Sequence, residues 1–325
     1  MQSILKIILN SHPEMKAKGY MYGAIAAASY GTNPLFALPL YSAGMDPGSV
    51  LFFRYLFAVP IMAVMIKGRG RDFKISRPDI LPLVALGVLL ALSSLTLFKS
   101  YTYMDVGIAS TILFVYPILV ALIMAVMFKE KMNFITFLCI ALSLGGISLL
   151  YRTSDGIPLN WMGTSMVLIS ALTYAIYIVG VNKSGIKDMP TVKMTFYVLL
   201  FGTLFFFLTE GCGTRLIFVN KWYVWLNLLG LAVFPTAISF VFTTKAIQFV
   251  GSTPTAILGA LEPVTAIIIG VSVFGEVLTA RILIGILLVI LSVTMIIAGG
   301  SISSALIRIR KMFPRIGRRN HKSDS

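Results

Sequence analysis

The sequence predicts an all-α membrane protein: ten transmembrane helices arranged as two inverted five-helix repeats. Three observations carry that expectation. Of 325 residues, 58% are apolar and only 12% are charged, far outside the composition of soluble domains. Apolar stretches of roughly 18–23 residues follow one another almost without pause, each long enough to cross a ~30 Å hydrocarbon core as a helix. Lys99, Pro117, Phe128 and Glu130 recur as Lys245, Pro263, Phe274 and Glu276, all shifted by 146 residues. Each half reads as five spans, and an odd number turns the second copy upside down. Inverted repeats build a solute site at the bilayer midplane and alternate its access between sides, which implies a transporter.

The chain divides into an N-terminal segment (1–18), a first repeat (19–151), a second repeat (152–300) and a basic tail (301–325). Spans are expected near 19–42, 49–67, 79–100, 106–128 and 132–151, then 160–182, 190–209, 222–244, 253–275 and 279–299. Lys and Arg orient them. With the N-terminus inside, twenty fall in the inner loops and termini and four (Arg152, Arg215, Lys221, Arg281) in the outer loops. That bias predicts cytoplasmic termini and a multi-pass plasma (inner) membrane protein. The tail RIRKMFPRIGRRNHK is a topology determinant that could also meet anionic lipid headgroups. Phe313 is the one Phe, Tyr or Trp among its charges, fewer than a nucleic-acid strip requires, so no nucleic-acid partner is expected.

In span one, Tyr22, Ser29 and Asn33 share a helical face. Pro34 removes a backbone hydrogen bond and should kink or break the helix, and freed carbonyls in lipid are tolerated only against protein or a wet cavity. The stripe reads equally as polar helix packing. Arg54 sits more than a turn into span two, where snorkelling or a solute-binding role would both fit. In spans three and eight, Ser93 matches Ser239 and Lys99 matches Lys245. Each lysine lies near its helix's C-terminal end, where it can snorkel and meet the negative helix end or mark one mouth of a pathway.

Span four carries Tyr116 before Pro117. At the repeat offset its partner is Glu262 before Pro263, about halfway along span nine. An ionised carboxylate there is costly, so Glu262 is either a proton-coupling site or a quietly protonated packing residue. Pro34, Pro117 and Pro263 are candidate hinges. Glu130 and Glu276 precede spans five and ten, where acids complement a helix N-terminus. Span six, the counterpart of span one, carries Ser170, Thr173, Tyr174 and Tyr177 on one face, and Tyr174 matches Tyr30 at an offset of 144. Paired tyrosines could stack on a solute or belong to an interfacial belt. Gly145 and Gly146 in span five, with Gly299 and Gly300 ending span ten, allow close packing, either internally or in a homodimer.

Enzyme chemistry is not expected. The only histidines, His12 and His321, lie in the terminal segments, so no Ser-His or Cys-His pair can form in the bundle. No CxxC pair or HExxH helix offers a metal site, and no phosphate loop would supply an ATP-driven pump. No cofactor is implied. Cys139 in span five and Cys212 in an outer loop are not placed to form a disulfide.

The paired segments ASTILFVYPILVALIMAVMFKEK and TPTAILGALEPVTAIIIGVSVFGEVL resemble the EamA-type members of the drug/metabolite transporter superfamily. Both have a small-residue start, a mid-helix proline and a terminal Glu. The resemblance covers residues 19–299 and implies ten helices with a central cavity lined mostly by spans one, three, four, six, eight and nine. It implies a secondary exporter of amino acids, related metabolites or toxic compounds. By position it places Glu262-Pro263 on the family's frequent acidic-proline pair and Arg54 on its frequent span-two Arg. YGTNPLF departs from the family, with Asn33-Pro34 where many members have Trp-Gly. The leading expectation is a proton-coupled or facilitative exporter of small metabolites. Alternatives are a transporter of phosphorylated solutes or lipids, or a membrane scaffold.

Overall fold

The computed structural model describes residues 13–129, 160–186, 189–250 and 261–292, with scattered residues at 138–149, 258–259 and 294–295. Among them the chain is helical, and its elements follow the proline and glycine punctuation. Helix α1 (Pro13–Gly31) and α2 (Asn33–Ser42) are the two parts of expected span one. Then come α3 (Pro47–Gly68), α4 (Arg77–Ser100), α5 (Val106–Leu113), α6 (Tyr116–Phe128), α7 (Trp161–Lys183) and α8 (Thr191–Thr209). Helix α9 (Trp222–Ala232) runs through a π-helical turn (Val233–Ile238) into α10 (Ser239–Val250), and α11 (Leu261–Phe274) and α12 (Ala280–Ser292) follow.

Six helices among the described residues are long and apolar enough to span a bilayer: Pro47–Gly68, Arg77–Ser100, Val106–Phe128, Trp161–Val181, Thr191–Thr209 and Trp222–Thr243. Their outward faces carry large apolar side chains such as Val64, Leu81, Val126, Leu208 and Leu226, as a lipid-facing surface requires.

Local chemistry sets the helix starts. Asp46 caps α3, its Oδ2 accepting from the Gly48 and Ser49 amides at 2.9 and 3.2 Å, with Pro47 at the first helical position. Asn160 caps α7 through the Met162 amide at 2.9 Å. At the opposite end Lys193 pairs with exposed Asp72 at 2.9 Å. That contact holds the Asp72 carboxyl below its ordinary range but contributes little stability, being in water.

Packing follows the duplicated plan. Helix α4 pairs most extensively with α7, and α1 pairs almost as extensively with α10. Small residues allow these approaches. A side chain at Gly19 would meet Val250 at 2.5 Å, and one at Gly23 would meet Leu258 at 2.5 Å. Gly202 accommodates the Tyr55 ring, and Gly146 lies against the Gly285 carbonyl of α12. Gly146 therefore packs internally. The larger core cluster joins α2, α3, α4, α5 and α9 around Leu40, Phe53, Phe98, Ile112 and Leu228.

Candidate functional site

Three helix breaks converge on the centre, each at a proline. Pro34 has no N–H to offer the Tyr30 carbonyl four residues back. The Asn33 side chain supplies the missing donor, its Nδ2 bonding Tyr30 O at 2.9 Å. The chain tightens there, with Thr32 N bonding Ser29 O at 3.2 Å and Leu35 N bonding Thr32 O at 3.0 Å. Between α5 and α6, Val115 N bonds Ile112 O at 3.1 Å and Ile118 N bonds Val115 O at 2.9 Å, just ahead of and across Pro117. Before Pro263, Glu262 N bonds Gly259 O at 3.0 Å. The three residues preceding these prolines are Asn33, Tyr116 and Glu262, so the breaks present matched positions from three segments. Gly31 lets the first and third touch, because a side chain there would sit 2.6 Å from the Glu262 carbonyl oxygen.

A fourth break was missed by the sequence reading, although Pro235 in the middle of expected span eight was the signal. Pro235 cannot serve the Leu231 carbonyl. The Thr236 hydroxyl donates to it at 2.9 Å, and the backbone widens into the π turn, a distortion that often marks functional positions. Having spent its proton on Leu231, Thr236 Oγ1 accepts from Arg54 Nε at 3.1 Å.

Arg54 is thus held deep in the bundle, 4% exposed. Its guanidinium carbon lies 5.3 Å from the Phe98 ring centre, and the Tyr30 hydroxyl is within reach. No carboxylate among the described residues pairs with it. No ion pair joins Arg54 to Glu262. Around them stand Tyr116 and Tyr174, edge to face at 4.8 Å, and Tyr177, stacked on Tyr174 at 5.8 Å. Tyr55 closes the wall, its hydroxyl 2.7 Å from Ser94 Oγ. Tyr30, Tyr116, Tyr174, Tyr177 and Glu262 retain partial exposure although they lie mid-span. Asn33 is 2% exposed, and its Oδ1 has no hydrogen-bond partner, which is uncommon for a buried polar atom.

The structure therefore brings together Tyr30, Asn33, Arg54, Tyr116, Tyr174, Tyr177 and Glu262. Tyr55, Tyr101 and Thr236 join them and were not singled out from the sequence. The other four expected residues are placed as follows. Ser93 is tied to Ser170 across the α4–α7 seam, the Ser170 hydroxyl donating to Ser93 O at 2.7 Å and the Ser93 hydroxyl to Ser170 O at 3.1 Å. Ser239 is buried at the start of α10. Lys99 is exposed at the end of α4. Lys245 lies against α1, its Nζ 5.3 and 5.4 Å from the Tyr22 and Phe242 ring centres. Glu130 falls outside the described residues. Among those described, no cluster of three His, Cys, Asp or Glu side chains could hold a metal ion.

The EamA-like transporter family matches the chain twice, over residues 17–152 and 161–298. The protein belongs to that family. The EamA chain is also 29% identical over 266 residues to an uncharacterized transporter of Archaeoglobus fulgidus, covering 80% of this chain and 89% of the relative. An uncharacterized transporter of Clostridium kluyveri is 22% identical, covering 84% and 91%. Of Bacillus subtilis, the uncharacterized transporter YxxF is 24% identical, covering 77% of each chain. A solved crystal structure shares the fold, with a TM-score of 0.60 at 17% identity over 91% of this chain and 99% of that one. The chain is thus a multi-pass membrane transporter, with solute and lipid as the partners its family implies.

Proposed function

We propose that this EamA protein is a secondary transporter that exports small zwitterionic or carboxylate-bearing metabolites, such as amino acids, by alternating access. Ten spans in two inverted repeats would carry it, with both termini in the cytoplasm and the chain in the plasma (inner) membrane. The observation that supports this best is the tyrosine-walled centre with Arg54 and Glu262 unpaired to one another. A basic group and an acidic group left separate in low dielectric suit a solute carrying both charges. Arg54 would receive the carboxylate, since its fork matches two oxygens. The orphan Asn33 Oδ1 and the Glu262 carboxylate would receive the ammonium, and the tyrosines would flank the side chain. Glu262 would also couple transport to protons. Pro34, Pro117 and Pro263 would act as hinges on which half-helices rock.

The reading favours amino acids over phosphorylated solutes because Arg54 alone of the predicted cations reaches the centre. Lys99 stands exposed at a bundle end, and Lys245 is engaged with two rings.

The test is counterflow in proteoliposomes loaded with a pooled amino-acid and metabolite mixture, read by mass spectrometry for wild type and Glu262→Gln. Exchange of one zwitterionic class, reduced in the variant, is the expected outcome. Exchange confined to sugar phosphates or lipids, or none from folded protein, would overturn the proposal.

A further inference from the structure

Helix α5 begins without a cap of its own. Asp105 stands at its N-cap position and makes no capping bond with its side chain. The first amides of a helix nevertheless need acceptors. The acceptor comes from 170 residues away in sequence: Glu276 Oε1 takes the Val106 amide at 2.7 Å, and Oε2 takes the Gly107 amide at 3.3 Å. Glu276 was expected to serve the helix that follows it, but Thr279 does that, its Oγ1 accepting from Ile282 N at 3.3 Å.

The seat for this carboxylate is shaped on both helices. A side chain at Gly270 of α11 would stand 2.2 Å from Glu276 Oε2, and one at Gly107 would stand 3.1 Å from it. The chain turns back at Gly275 (φ 71°), and the Glu276 amide returns to the Gly270 carbonyl at 3.0 Å. Beneath the carboxylate, Ile108 and Ile267 close the α5–α11 seam, 3% and 9% exposed.

We propose that Glu276 is the latch of the outer gate, a residue of the second repeat that holds the first repeat's α5 shut. This rests on the alternating-access reading above and on its orientation. A local cap at position 105 would have secured α5 in every conformation. A cap supplied by the other repeat secures it only while α5 and α11 touch. Helix α5 is a rigid lever of eight buried residues, about 12 Å long at 1.5 Å per residue, running from the latch to the Pro117 break. Releasing the carboxylate frees α5 to swing about that break and opens the tyrosine-walled centre outward.

The test places single reporter cysteines in a Cys139→Ser, Cys212→Ser background. Ile267→Cys reports the α5–α11 seam, and Ala246→Cys reports the α1–α10 seam at the other end. Labelling rates with a membrane-impermeant maleimide are measured on intact cells and on inverted vesicles, without added solute. Glu276→Ala removes the acceptor of both hydrogen bonds and leaves two buried amides unpaired, so labelling at Ile267→Cys should rise about tenfold or more. Labelling at Ala246→Cys should fall, because opening one mouth closes the other. Glu276→Gln keeps one acceptor oxygen and should stay within about threefold of wild type. An unchanged rate at Ile267→Cys overturns the latch. So does a rise at both reporters, which would make Glu276 a structural cap. No solute is involved, so a protein that gates as expected but exchanges no amino acid would sink the substrate reading and leave the latch standing. Labelling of Ile267→Cys only in inverted vesicles would place the seam on the cytoplasmic side and overturn the outer gate.

Discussion

Replacing Arg54 with lysine keeps the charge and removes the fork. In the structure the guanidinium divides its bonding between Thr236 Oγ1 at 3.1 Å, the Phe98 face at 5.3 Å and the neighbourhood of the Tyr30 hydroxyl. One ammonium cannot hold these and also present two parallel donors to a carboxylate. Hydrogen bonds to charged groups contribute about 1.5–3 kcal/mol each, so losing one should weaken carboxylate binding by about 10- to 150-fold. The assay is ligand-induced thermal stabilisation in detergent, using an amino acid selected by counterflow and its methyl ester. At a ligand concentration about 100 times Kd, wild type should gain about 2.7 kcal/mol. A variant with Kd raised about 100-fold should gain about 0.4 kcal/mol at the same concentration. The ester lacks the carboxylate, so it should stabilise wild type and Arg54→Lys equally. Comparing shifts within each protein removes any change in the unliganded fold. A full amino-acid shift in Arg54→Lys, or an equal loss for acid and ester, would refute Arg54 as the carboxylate partner.

Other substitutions probe the breaks and the latch. Asn33→Ala strands the Tyr30 carbonyl and should destabilise the protein by about 1–3 kcal/mol. Adding Pro34→Ala returns an N–H to that carbonyl, so the double variant should recover the melting temperature but not transport. Recovery of both would mean that the break is dispensable. Gly31→Ala drives a methyl against the Glu262 carbonyl and Thr265, an overpacking of about 1–3 kcal/mol, whereas Gly68→Ala meets nothing within 4 Å and should be silent in a thermal melt. The latch should respond to pH. Burial, with the Asp105 charge adding to it, pushes the Glu276 carboxyl up from 4.5 to about 7, against the pull of the Val106 and Gly107 amides. An acid with a higher pKa when latched binds its proton more tightly in that state. Closure should therefore be fullest below about pH 4.5 and be lost as pH rises through about 7, with Glu276→Gln flat across the range. Maleimide labelling of Ile267→Cys at graded pH reads this directly, and a slope of opposite sign would contradict it.

What the sequence disclosed and what it withheld divide along a physical line. Composition and repeat spacing concern the whole chain, and they were enough for an all-helical membrane fold, while the two paired proline-containing segments carried the resemblance to the family. Tyr30, Asn33, Arg54, Tyr116, Tyr174, Tyr177 and Glu262 could be named because a polar group in lipid is costly wherever the bundle places it. Ser93 shows the limit of that rule. A hydroxyl can meet its need on the neighbouring helix, as Ser170 does for it, and periodicity does not say which seam a polar face will meet. Thr236 shows the converse, since its role exists only because Pro235 strands one carbonyl and Arg54 arrives from 182 residues away. Glu276 was read as a helix cap, which it is, but the helix it caps belongs to the other repeat. Local rules identify what a side chain must satisfy, and tertiary contact decides which partner satisfies it. A cap made across the repeat boundary can be broken by the motion that separates the repeats, so an ordinary capping interaction here becomes a means of controlling access.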